Sequence, residues 1–449
     1  MSPFIHGRIY PETESSGLVS YTLRALIDPR IVRDHWRSIL DIDTLRIYLR
    51  SVESPCRIVL MLPAKRDEPQ IDAAYESMRG LGVEELPSSV VITPEAAAAF
   101  PDARADSDAL AFASTALIGD ADIVVSEKLV GEPECVTRFQ KLHIELAGIQ
   151  RAKHGCEVFV RGHEVPWSFR LPAWLMPWTP FYSMVDPDIQ AMEQFRSLAI
   201  RKGVSPEVQE RTRSLGLNRW SAIAYTRDKL LFYTIQRRRA NRHKLEKQDF
   251  SFELAYHLTT YFLLFWGALD QISWIVNEIC GLGFTAAQWR RVGVSKREFL
   301  DRLRERAPEM LMIFQEPEFL RWIDVLRRAR HYVAHQGTAM LSPLFEKPAQ
   351  EPSQPEVDRD IEQWAEWREL AGRWPPAMME TFRPIFRAKW YARNHRQISD
   401  AAFVIQGTTD SAIIFPLQNI EWEYERFRNF ALAVTTKCSD RLEGRPDLG

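Results

Sequence analysis

Cysteine is scarce. The 449 residues hold five, Cys56, Cys135, Cys156, Cys280 and Cys438, an odd number with no CxxC pair. A disulfide framework and a cysteine-built zinc site are excluded as organising devices, and a reducing compartment is expected. An excess of positive charge is missing too: 58 Lys and Arg face 60 Asp and Glu, for a formal net charge of -2. That excludes a globally basic coat for nucleic acid, but not a local basic patch. No long uninterrupted apolar run is present. The most apolar stretch, around Leu258 to Ile279, is broken by Gly267, Asp270, Gln271, Asn277 and Glu278. It reads as a buried bundle helix rather than a membrane span. The opening MSPFIHGRIYPETESS has no basic start followed by an apolar core, so no secretory signal, no membrane partner and a cytoplasmic location are expected. Walker A, dinucleotide-fingerprint and GxSxG sequences are absent, which leaves kinase, dehydrogenase and esterase readings without residues.

What is present divides the chain. Its length fits two or three domains. Residues 1–164 alternate short apolar runs with helical stretches, which predicts an α/β layer with partly parallel strands. The strands expected are Arg57–Leu62, Ser89–Thr93 and Ile123–Ser126, with a further one at Glu157–Val160. The helices expected there are Gln70–Met78, Pro94–Phe100 and Ser107–Ile118. Residues 165–187 hold five prolines and three tryptophans (VPWSFRLPAWLMPWTPFYSMVDP). So many prolines forbid a continuous helix or central strand, and the segment reads as an apolar connector, with a ligand-stacking surface as the other reading. Residues 188–345 are helical, with helices expected at Asp188–Lys202, Asn218–Lys247, Phe250–Cys280, Ser295–Arg306 and Pro317–Gln336. Gly281 and Gly283 close the third, and Ser295 with Glu298 resembles a capping box. Helices of this length with short connections predict an up-and-down bundle. Residues 346–449 begin with a Pro-rich loop over 346–360 and form a small C-terminal α/β extension. It is expected to carry a helix near Ile361–Leu370, strands at Ala402–Ile405 and Ala412–Phe415, and a final helix over Leu417–Thr436. The fold class expected is α+β, mainly α.

The segment Leu326–Gly337, LRRARHYVAHQG, carries Arg330, His331 and His335 near a predicted helix end. Cleaving RNA without a metal needs a group to accept the ribose 2′-hydroxyl proton, and His titrates nearest neutrality. It also needs a cation for the charge that builds on the phosphate, and the planar Arg fork matches those oxygens. A second group must protonate the leaving 5′-oxygen, so a partner copy would complete the site. The Arg-x4-His spacing also occurs at Arg30–His35, Arg138–His143 and Arg238–His243. Only at Arg330 is the Arg followed by a polar residue other than Arg, His331, and by small apolar Val333 and Ala334 before the second His.

Arg330-His331-x-x-x-His335 resembles the R-polar-x-x-x-H signature of HEPN domains, small helical bundles of which many are metal-independent ribonucleases that dimerise to form the site. The family occurs in toxin–antitoxin modules, abortive-infection systems and RNA-targeting effector nucleases. The resemblance covers about residues 188–345, a third of the chain. It implies that Arg330 binds the scissile phosphate, that His335 is the acid or base and that His331 orients the site or contacts nucleic acid. It also implies an RNA substrate, a homodimer, an antitoxin or regulatory protein as partner, and no cofactor or metal. Positions five apart lie about 140° apart on an ideal helix, whereas His331 and His335 share a face. Zinc binding by His331 and His335 is a rival reading, but Tyr332 stands where a metallohydrolase would place Glu. A non-catalytic RNA- or protein-binding helical module with a regulatory N-terminal domain is the alternative function.

Two further stretches carry charge. Ile235–Lys247, IQRRRANRHKLEK, places Arg237, Arg238, Arg239, Arg242, His243 and Lys244 on about three helical turns. The run reads either as a phosphate-tracking surface for RNA or as a solvated helix paired with Glu246 and Asp249. In the N-terminal region, Asp106 and Asp108 open a helix that leads to Gly119-Asp120-Ala121-Asp122 and a strand ending at Glu127. This is similar to the C-terminal half of PIN-like nucleases, in which carboxylates at strand ends hold Mg²⁺ or Mn²⁺. Asp28 would be a first acid. Helix N-caps explain the same acids without a metal.

Overall fold

The computed structural model describes residues 21–444 apart from 52, 64–71, 87–90, 105–106, 164–186, 244–249, 336–340, 346–352, 407–411, 417–419 and scattered positions between 374 and 396. The chain is mainly helical, with a small parallel sheet near its N-terminus.

The sheet strands are β1 (Thr22–Ile27), β2 (Arg57–Leu62), β3 (Glu84–Glu85), β4 (Ile123–Val125) and β5 (Glu145–Ala147), in the order β3-β2-β1-β4-β5. Every pairing is parallel. Strands buried on both faces read as continuous apolar runs. Leu23, Ala25, Ile58, Leu60 and Val125 face one core, whereas Leu26, Met61, Val124 and Leu146 face another. The helices between the strands are α1 (Val32–Ser51), α2 (Asp72–Gly80), α3 (Pro94–Ala99), α4 (Asp108–Ile118), α5 (Glu127–Val130) and α6 (Pro133–Lys141), with α7 (Ile149–Gly162) after β5.

Two N-terminal expectations need correction. Glu157–Val160 is not a strand but part of α7, whose buried Ala152, Cys156, Phe159 and Val160 follow helical spacing. Val91–Thr93 is no strand either, because Thr93 caps α3 by accepting from Ala96 N–H; residues 89–90 lie outside the described residues. Strands β1 and β5 come from stretches with no strong strand signal.

The helical part comprises α8 (Pro187–Arg201), α9 (Pro206–Arg213), α10 (Ser221–Arg242), α11 (Ser251–Ile279), α12 (Arg297–Arg306), α13 (Pro308–Phe314) and α14 (Pro317–His335). Between α9 and α10 the chain forms a π-helical segment, Ser214–Trp220. Leu254, Leu258, Phe262, Phe265, Leu269, Ile272 and Val276 of α11 are all buried, as their spacing predicts. Gly281 and Gly283 take positive φ after it, a backbone state that glycine adopts without penalty. The N-cap of α12 is Lys296 and carries no side-chain capping bond, so the expected Ser295–Glu298 box does not form. The connector at 165–187 lies outside the described residues except for Pro187, the first residue of α8.

The C-terminal part adds β6 (Leu341–Phe345), α15 (Gln354–Gln363), α16 (Ala365–Ala371), β7 (Gln397–Gln406), β8 (Ala412–Pro416) and α17 (Ile420–Glu443). The capping box opens α15, from Ser353 with Glu356, so the expected loop ends by residue 353. Strands β6, β7 and β8 pair antiparallel. Helix α17 does not stand apart. Its Tyr424, Phe427, Phe430 and Val434 enter the same core as α11, α14 and the α1–α7 face of the sheet. Phe427 meets Trp220 and Phe265 edge-on, and Phe430 stacks on Phe319.

Candidate active site

Helix α14 starts at Pro317, where Glu316 accepts from the backbone N–H of Glu318 and Phe319. Phe319, Trp322, Ile323, Leu326 and Ala329 bury its inner face. This packing places Arg330 half-buried and His331 exposed near the helix end, with His335 as its last residue. The helix runs through His335 without a break, so positions 330 and 335 lie about 140° apart around its axis.

The four Arg-x4-His pairs now separate. Arg30 holds Asp28 with two nitrogens and Asp108 with a third. Arg138 is paired with Glu134, and Arg238 with Glu145 at 2.8 Å. Arg330 has no hydrogen bond or ion pair to another side chain among the described residues. Its charge acts on Asp270 of α11, half-buried, whose carboxyl is pushed up by burial and drawn down by Arg330, Arg219 and Lys296.

The basic run meets the acids of the N-terminal region. Arg238 donates to Glu145, Arg239 reaches Asp120 and Asp122 at 3.1 and 3.3 Å, and Arg242 reaches Asp122 at 2.8 Å. His243 lies 2.9 Å from Asp120. Asp120, at φ 53°, adopts the left-handed conformation that an Asp tolerates better than most residues. These groups close a clasp between α10 and the start of β4, so Arg238, Arg239 and Arg242 are each engaged by a carboxylate. Glu246 and Asp249, the partners expected from the sequence, lie outside the described residues together with Lys244. Arg237 is half-buried in the same run.

Asp120 and Asp122 therefore lie at the N-terminal end of β4. The other acids lie at the opposite edge, where the sheet order reverses between β1 and β4, the usual ligand position in such sheets. Asp28 is buried after β1 and accepts from Ser126 Oγ at 2.8 Å. Burial pushes the Asp108 carboxyl up, but Arg30 and Lys128 outweigh it and hold it down to about 2. Glu127 accepts from Ile149 N–H at the start of α7. A divalent cation does not fit between Asp28 and Asp108 as folded, because the Arg30 guanidinium bridges them and Lys128 Nζ adds a second cation on Asp108. Asp106 lies outside the described residues.

Compared with known proteins, the chain matches no family model, and no curated protein or solved structure is similar to it at the level at which a match is counted. No helix among the described residues is long and apolar enough to cross a membrane.

Arg219, Asp270, Lys296 and Arg30 went unread as site residues in the sequence. One signal was available: Gly267 and Asp270, which interrupt the apolar run of α11, mark where charge meets that helix.

Proposed function

We propose that the helical part is a metal-independent endoribonuclease of HEPN type, acting in antiviral defence or toxin–antitoxin growth arrest, with the N-terminal region in a regulatory role. Arg330 binds the scissile phosphate, His335 transfers the proton and His331 orients the site or contacts the RNA. One observation carries the reading. Of four Arg-x4-His pairs, three have their Arg tied to carboxylates, and the fourth, Arg330, is left available to an anion on the helix that His335 ends. The 140° separation along α14 favours a composite site in a homodimer, one chain supplying Arg330 and its partner His335.

A PIN-like reading of the N-terminal region has the strand order and the buried Asp28 in its favour. The Arg30 bridge speaks against a metal-dependent centre there, so no step is routed through it.

The test is cleavage of single-stranded RNA by the purified chain in excess EDTA. Activity should persist in EDTA and fall on the order of 10²–10⁴-fold in His335→Ala. Arg330→Ala should fall by a comparable factor, with the fold unchanged by circular dichroism. Wild-type cleavage by a folded His335→Ala protein would end the reading. Strict Mg²⁺ dependence, lost in Asp28→Asn, would move the chemistry to the N-terminal sheet.

A further inference from the structure

In the middle of α11, Gly267 lies beneath the guanidinium of Arg219; a Cβ there would overlap Arg219 Nη1. Arg219 belongs to the π-helical segment Ser214–Trp220. Such segments are rare, and they occur often at functional sites because the extra residue redirects side chains. This one is anchored at both ends: Trp220 is fully buried, and Ser214 Oγ accepts from Gln271 of α11 at 3.1 Å. The π turn therefore lays Arg219 across α11 at the one position without a side chain in its way.

One turn further along α11 stands Asp270. The turn before α12 approaches it from another side. A Cβ on Gly293 would lie 3.8 Å from Asp270 Oδ1 and 3.3 Å from Lys296 Cγ. Arg330 comes from α14, which packs along α11. Three cations from three separate elements thus act on one carboxylate. Among the described residues, none of Arg219, Lys296 and Arg330 makes an ion pair or side-chain hydrogen bond to another residue, and neither does Asp270. The α10 clasp is different, because its guanidinium groups are each closed onto a carboxylate. With the run on α10 engaged, the unmatched positive charge beside the His331–His335 end of α14 is here.

We propose that Arg219 and Lys296 extend the Arg330 site into a phosphate-binding groove that holds single-stranded RNA on either side of the bond to be cut. The inference rests on the ribonuclease reading for its substrate. Single strands fit because their backbone is free to unstack and follow a short row of cations. Asp270 keeps the three cations gathered when no phosphate is bound, as a weak competitor that the RNA displaces.

The test measures binding apart from cleavage. The full chain carrying His335→Ala is titrated with a fluorescein-labelled oligouridylate, and anisotropy is read over a series of salt concentrations. Adding Arg219→Ala or Lys296→Ala should weaken binding about tenfold at low salt. Each should also lower the slope of log affinity against log salt by about 0.7, the share of one phosphate contact on a single strand. Arg219→Lys should keep the slope. Gly267→Ala should reproduce the Arg219→Ala loss without removing a charge. It also keeps the protein folded, since Ala is the better helix residue by about 1 kcal/mol. Arg33→Ala, an exposed cation on α1, should change nothing. Unchanged slopes for Arg219→Ala and Lys296→Ala, or an equal loss in Arg33→Ala, would overturn the groove. The two ideas fail separately: cleavage with unchanged slopes rejects the groove alone, and lowered slopes without cleavage in the His335-intact chain reject the nuclease alone.

Discussion

Burial pushes the Glu423 carboxyl up to about 7, with the Trp322 indole N–H and Arg426 opposing it. Burial also holds His257, beside Tyr233 and under the charge of Lys229, down to about 4. The two work in opposite directions over one window. Glu423 binds its proton more tightly folded than unfolded, so its contribution is complete below its ordinary value of 4.5 and is lost as pH rises through about 7. His257 binds its proton less tightly folded, so its contribution is complete above 6.5 and is lost as pH falls through about 4. In the wild type the two offset each other. Glu423→Gln should therefore leave a protein whose melting temperature falls toward acid across this window. His257→Phe should leave one whose melting temperature falls toward neutrality. Parallel profiles for wild type and both variants would show that neither group titrates differently on folding. At this scale the sequence offered His257 and Glu423 only as members of helices, because a pKa follows from what covers a group, and the covering residues come from other elements.

The α10 clasp belongs to the element scale. Arg242 is 7% exposed and Asp122 5%, so neither can exchange its partner for water cheaply. Asp122→Ala would leave Arg242 and Arg239 to share Asp120, in a place that water reaches poorly. Breaking a buried pair from one side costs about 3–5 kcal/mol. Urea unfolding should show a loss of that order for Asp122→Ala and little for Asp34→Ala, whose partner Arg33 is 88% exposed. A small loss at Asp122 would mean that the clasp is solvated and the basic run available. Sequence reading found both halves, the Arg run and the Gly-Asp-Ala-Asp turn, and weighed for each an external ligand, RNA phosphate or a metal, against local pairing or helix capping. Nothing in local spacing could show that they face each other, with more than a hundred residues between them.

At the scale of the whole molecule, the 140° between positions 330 and 335 on α14 keeps them from one site within a chain, so the nuclease reading pairs Arg330 of one chain with His335 of a second. Mixing inactive Arg330→Ala with inactive His335→Ala protein should restore part of the cleavage, because one composite site in the mixed dimer would be whole. No recovery, together with a monomer in sedimentation, would favour the binding-module alternative. The sequence by itself determined what local chemistry decides. It determined the long helix of α11 from its three- and four-residue apolar spacing, the buried strands β2 and β4 from their apolar runs, and the mainly helical α+β composition. It also placed Arg330 and His331 near the end of α14. Only the tertiary structure decided the rest. It made Glu157–Val160 a helix, drew α17 into the bundle core, set Asp28 and Asp122 at opposite ends of the sheet, matched Arg238, Arg239 and Arg242 of α10 with acids and brought Arg219, Lys296 and Arg330 around Asp270. The physical reason is range. Propensity and periodicity act over a few residues, whereas burial and charge pairing depend on which distant segments the packed core brings together.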